Sequence, residues 1–256
     1  MGEFFDVESG GPLRLEVRSV DGRDFVLLRP VGYAAEGYAE PFVVPTRFVT
    51  DFASVPHLFT WLVPKSGDFL PAAVLHDALV APGSFTGPDI DRHEADRVFR
   101  TAMIGLGTGR VRAWVMWAAV TIGTFWASRR LGARARLVGL LGLVAVLGTV
   151  ATLDFFDVVS ALPWMGDRPW PTELALGALF AVVVPSLLAL TWGRYWLAGV
   201  IVGVALALLL HVTAALLLIY ALYLALERVV SGPADDDGVR VRDRRAADAE
   251  TSLGNP

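Results

Sequence analysis

The sequence predicts an α+β soluble domain over residues 1–128, an α-helical membrane region over 129–228 with about three spans, and a disordered tail over 229–256. Three observations predict it. From Met1 to Gly109 nine Lys or Arg stand against fifteen Asp or Glu, a net of −6, whereas from Leu137 to Leu226 charge nearly vanishes among Leu, Val and Ala. The apolar windows of that second stretch approach the ~20 residues that cross a hydrocarbon core. Ahead of it, the period of the apolar residues changes from two to about 3.6 after Pro56, the signature of strands giving way to helices.

The strands come first. Leu13 to Val20, Asp24 to Ala34 and Glu40 to Thr50 alternate apolar and polar residues, and Asp21-Gly22 between the first two reads as a hairpin turn, because those residues tolerate the positive φ such a turn needs. FLPAAVLHDALV and DIDRHEADRVFRTAMIGLG then place apolar residues three and four apart. Each predicts an amphipathic helix, the second with Ile90, Ala95, Val98, Phe99, Ala102 and Met103 on its core face. Ala81 to Pro88, rich in Gly and Pro, is the loop between them. The apolar run within Arg110 to Ser128 is short for a span and carries Trp residues, so a third helix closing the soluble domain against the membrane is expected.

Arg129, Arg130, Arg134 and Arg136 precede the first clear span, 137–153, and mark that side as cytoplasmic. The loop from Asp154 to Glu173 is acidic and holds Trp164 and Trp170 as interfacial anchors, which puts it outside. The second span, 174–190, contains Pro185, where a kink is expected. Gly193-Arg194 turns the chain into a long third segment, 196–226. Three spans from a cytoplasmic start put the C-terminus outside, while the Arg residues of the tail favour the inside, so its side stays open.

Composition removes some functions. A net acidic soluble half has the wrong sign for a phosphate backbone, so no nucleic acid partner is expected. With no cysteine in the chain, disulfides and thiolate metal sites are excluded. MGEFFDVESGGP has neither a basic start nor an apolar run, so no secretory signal is read and the N-terminal domain is expected in the cytoplasm, on a protein of the cytoplasmic membrane. GLGTG follows no strand, and Ser54 lacks a nucleophile elbow, so neither supports nucleotide binding or serine catalysis.

The ionisable residues that remain gather in three strings: TDFASVP at Thr50 to Pro56, LHD at Leu75 to Asp77 and RHEAD at Arg92 to Asp96. Asp51, His76, Asp77, Arg92 and Asp96 are the candidate site residues. Asp51, His76 and Asp96 have the side-chain types of a divalent-metal site, and the whole set has those of acid-base work. Two readings stand open. In one, the groups share a pocket. In the other, they are structural: Asp51 or Ser54 caps a turn, Asp77 pairs with Arg92 or Arg97 to lock two helices, and His76 bonds a carbonyl. His57 and His93 are expected on the surface. His211, in the third span, is expected to pair with a neighbouring helix.

The ordered strings VPTRFVTDFASVP, PAAVLHDALV and EADRVFRTAM, followed by an Arg/Trp-rich helix, resemble the domain-of-unknown-function family 1353 of bacterial and phage or prophage proteins. The likeness covers about Leu13 to Ser128. The shared positions fall on Thr50, Asp51, Phe52, Ala53, Ser54, Val55, Pro56, His76, Asp77, Ala95, Asp96 and Phe99, with Arg92 where an Arg often precedes the EAD string. The resemblance implies that Asp51, His76, Asp77 and Asp96 form one cluster, and it supplies no reaction. The family is usually small and soluble, and bulky aromatics tend to follow its His-Asp pair where Ala78 and Val80 stand here.

Two functions follow as expectations. The first is a membrane-tethered module whose cluster binds a divalent metal or polar ligand, as a hydrolase near the envelope. In it Asp51, His76 and Asp96 are ligands or orienters, Asp77 a general base and Arg92 an anion clamp. The second is a non-enzymatic phage-type interaction protein in which the cluster is a folding lock. In both the bilayer is a partner, and the spans are the surface for any homo-oligomer.

Overall fold

The computed structural model describes residues 2–20, 24–52, 67–128, 131–166 and 168–231. Six short strands open the chain: β1 (Glu3–Asp6), β2 (Val17–Ser19), β3 (Phe25–Leu27), β4 (Val31–Ala34), β5 (Phe42–Val44) and β6 (Val49–Thr50). They form two antiparallel three-stranded sheets, ordered β1-β4-β5 and β2-β3-β6. The pairing of Val17 with Leu27 and Ser19 with Phe25 is the hairpin expected around Asp21-Gly22, which itself lies outside the described residues. β3 also pairs Phe25 with Thr50, which fixes the end of β6 in the sheet.

Three helices follow: α1 (Leu70–Val80), α2 (Arg92–Gly105) and α3 (Arg110–Ala127). α1 starts with a Pro in its first turn, where the missing N–H costs nothing, and buries seven of its eleven residues, His76 among them. α2 starts at Asp91, whose carboxylate accepts from the Glu94 N–H at 2.9 Å. Its buried stripe is Ala95, Asp96, Val98, Phe99, Ala102 and Met103. That is the expected apolar face, with Ile90 packed at its rim and one carboxylate in its middle.

α3 belongs to two hydrophobic cores. Ala113 and Met116 close the core formed by the sheets, α1 and α2, while Trp117, Ala118 and Phe125 join a second core with the helices beyond. Those are α4 (Leu131–Phe155), α5 (Trp170–Ala189), a 3₁₀ segment (Leu190–Tyr195) and α6 (Trp196–Ser231). Where three separate spans were expected, two continuous helical stretches, Leu131–Phe155 and Trp170–Val230, are long and apolar enough to cross a membrane. Only 22% and 6% of their most apolar windows are buried, unlike the core helices of a soluble fold. α5 runs on through Pro185, and the chain breaks instead at Gly193, whose φ of 61° and ψ of −124° suit a residue without a Cβ. Beyond it α5 and α6 approach so closely that a Cβ on Gly199 would lie 2.9 Å from the Ala189 Cβ. His211 meets the Thr152 hydroxyl of α4 at 2.9 Å, the neighbouring-helix pairing expected for it. The tail from 232 lies outside the described residues.

Candidate functional site

His76 and Asp77 are adjacent on α1, so their side chains diverge by about 100°. Each finds its own partner. His76 Nε2 lies 2.8 Å from Asp96 Oδ1, and its ring packs tilted on Phe99 at 4.8 Å. Asp96 is fully buried. Its Oδ2 accepts from Thr124 of α3 at 3.4 Å, and Arg92, one turn back along α2, places Nε 3.6 Å from Oδ1 while donating to the same Thr124 hydroxyl at 3.1 Å. One carboxylate thereby ties α1, α2 and α3 together.

Asp77 faces the strands. The Thr50 hydroxyl donates to its Oδ2 at 2.5 Å and accepts from the Phe52 N–H at 3.0 Å. Phe52 has a φ of 60°, a left-handed backbone that costs a residue with a Cβ about 1–3 kcal/mol, and the Thr50 bond holds the chain there. Burial is the main reason the Asp77 carboxyl is pushed up to about 6 from an ordinary 3.8. The Thr50 bond opposes this, the negative field of Asp51 adds to it, and His76 and Arg92 oppose it. An acid tuned to that range ionises close to neutral pH, which suits a general base.

The five expected residues therefore sit in one neighbourhood, but not as one ligand set. Among the described residues no group of three or more His, Asp or Glu is placed to hold a metal ion. The expected Asp51–His76–Asp96 donor triad does not assemble, because His76 is engaged by Asp96 while exposed Asp51 acts on Asp77. Ala53 to Pro56 and His57 lie outside the described residues. The expected lock of Asp77 with Arg92 or Arg97 is also replaced: Arg92 pairs with Asp96, Arg97 donates to Glu94 three residues back on its own helix, and the helix-to-helix lock is His76–Asp96 instead. A cavity of about 220 Å³ elsewhere, lined by Gly2, Tyr33, Glu36, Arg97 and Thr101, includes none of the cluster.

The turn between α5 and α6 also reaches the site. Arg194 forms an ion pair with Asp91, the cap of α2. His93, expected to be exposed, is half-buried with its ring edge-on to Tyr195 at 4.9 Å. Phe125 stacks on Trp192 at 4.4 Å and meets Tyr195 at 5.5 Å. Thr124, Arg194 and Tyr195 were not legible as site residues, since nothing in their own segments marks them. Asp96 was legible, as the lone carboxylate on an apolar helix face.

Residues 25–120, from β3 into α3, match the model of a family described as Protein of unknown function (DUF1353). No curated protein and no solved structure matches the chain.

Proposed function

We propose that the DUF1353 domain carried by this chain is an acid-base site held at a membrane surface, working as a hydrolase on a polar substrate. The observation that carries the reading is the split of the His-Asp pair: Asp77 is tuned to about 6 beside a His76 ring already aimed by a buried Asp96. In a hydrolytic cycle Asp77 takes a proton from water as the water oxygen attacks the substrate. The bond to the leaving oxygen breaks, and Asp77 returns the proton to that oxygen, so the cycle closes. His76, fixed by Asp96, is a positioning residue beside it, and Arg92 steadies the anionic intermediate.

The two long apolar helical stretches support the placement, and we read the break at Gly193 as dividing the second into two passes. α5 has 20 residues, about 30 Å at 1.5 Å per residue, which is the thickness of a hydrocarbon core. Exposed Trp126 and Trp196 mark one end of the bundle and exposed Trp170 the other, as interfacial aromatics do. Arg134 and Arg136 share the end with Trp126, and the positive-inside bias supports reading that end as cytoplasmic, with the soluble domain on the same side.

The test is turnover of a panel of chromogenic esters and phosphoesters by the full chain in detergent micelles. Asp77→Asn is expected to abolish turnover while the protein stays folded, and turnover equal to wild type sinks the reading. A second reading, a folding lock without chemistry, is favoured by the complete burial of Asp96 between three helices. It predicts no turnover of any substrate and a loss of stability in Asp77→Asn.

A further inference from the structure

We propose that the ligand of this site is the phosphate-bearing headgroup of an anionic membrane lipid, gripped by Arg92. The inference rests on the membrane placement above and names what the site takes.

Arg92 spends only its Nε on the protein, on Thr124 and Asp96. Its two terminal nitrogens make no hydrogen bond or ion pair among the described residues, and 38% of the side chain is exposed. A planar guanidinium held by Nε presents that free edge in a fixed direction, the geometry that meets two oxygens of a phosphate at once. The surroundings fix which phosphate. Arg92 begins α2, and the residues on either side of it, Asp91 and His93, contact Arg194 and Tyr195 of the α5–α6 turn. Tyr195 also meets Phe125, so the neighbours of that pair, exposed Trp126 and Trp196, lie at the same depth, with Arg134 bonded to the Trp126 carbonyl at 2.8 Å. Exposed Trp and Arg at one level mark the headgroup layer of a bilayer. Arg92 thus stands where lipid phosphates are, and a soluble phosphate has no reason to need the α5–α6 turn beside it. The chain as a whole carries −4, so anion binding here would need a local grip such as that of Arg92 rather than a diffuse positive field.

The experiment uses the full chain in a neutral maltoside detergent with three probes: dioctanoyl phosphatidylglycerol, dioctanoyl phosphatidylcholine and inorganic phosphate. Saturable binding of the phosphatidylglycerol, read as a rise in unfolding temperature and as a retained adduct in native mass spectrometry, is expected. Arg92→Gln should weaken it at least about tenfold, as loss of a bidentate charged contact does, and Arg18→Gln on exposed β2 should leave it unchanged. Inorganic phosphate should not compete. Equal affinity in Arg92→Gln, equal affinity for the zwitterionic lipid, or competition by inorganic phosphate would each overturn the proposal. If Arg92→Gln does not fold, a photoreactive phosphatidylglycerol on the wild type decides: adducts on residues 91–94 or 194–196 support it, and adducts confined elsewhere overturn it. Asp77→Asn separates this inference from the reaction. Lipid binding retained with turnover lost keeps both, lipid bound without turnover in wild type faults the chemistry alone, and a soluble ester hydrolysed without lipid binding faults the lipid alone.

Discussion

The two hydrophobic cores of this chain share α3 and are built in opposite senses. Around the sheets, α1 and α2, apolar side chains point inward, and Leu27, Val31, Phe42, Val44 and Leu75 have no exposed surface. Among α4, α5 and α6 the large apolar groups point outward, with Val146 59%, Leu179 53% and Leu218 72% exposed, while Asp154 and Glu173 are buried. The first arrangement suits water outside. The second suits lipid, where interhelical packing and buried polar contacts do the holding. α3 passes from the first core to the second within a few residues, and Thr124, which touches Asp96, sits on its second half.

The largest expected effect belongs to the first core. Asp96→Ala leaves a buried His76 with no partner on its Nε2 and frees Arg92 and Thr124, so about 3–5 kcal/mol should be lost, read from denaturant unfolding of the full chain in micelles. A loss under about 1 kcal/mol would mean that Asp96 does not join the three helices. In the second core, Gly199→Leu forces side-chain atoms against Ala189 and Trp192, a cost of about 1–3 kcal/mol. Because the chain has no cysteine, its effect on the site can be read by crosslinking Asp91→Cys to Arg194→Cys. The crosslink, made with a bismaleimide long enough to span the lost Arg–Asp pair, should form readily in the parent and several-fold more slowly with Gly199→Leu, and equal rates would show that the turn and α2 do not move together. Smallest is Arg194→Ala. Its pair with Asp91 is exposed on both sides, so at most about 1 kcal/mol should be lost, and that loss should fade in high salt.

The same contrast explains what the sequence could tell. The stripe on α2 was readable because water on one side and core on the other impose a period of 3.6 on Ala95, Val98, Phe99, Ala102 and Met103. The long apolar helices α4, α5 and α6 show no such period, so only their length and apolar content were legible, and their division was not. The split of the strands into two sheets was hidden because each strand alternates alike whichever neighbour it pairs with. In the site, residue types announced Asp51, His76, Asp77, Arg92 and Asp96, but which pairs with which depends on the divergence of His76 and Asp77 around α1. Tyr195 and Arg194 lie about a hundred residues from Asp91 and His93, and only tertiary packing brings them together.

Both functional readings turn on Asp77, and its stability profile against pH tests them most directly. An acid raised from 3.8 to about 6 by folding binds its proton more tightly in the native state. Its stabilisation is therefore complete below pH 3.8, falls as pH rises to about 6, and is level above that, a change of up to about 3 kcal/mol. Asp77→Asn does not titrate. The difference in unfolding free energy between variant and wild type should move in favour of the variant across pH 4 to 6 and stay there at neutral pH. A difference that is flat with pH would contradict a carboxyl held ready as a base and leave Asp77 as part of a structural lock.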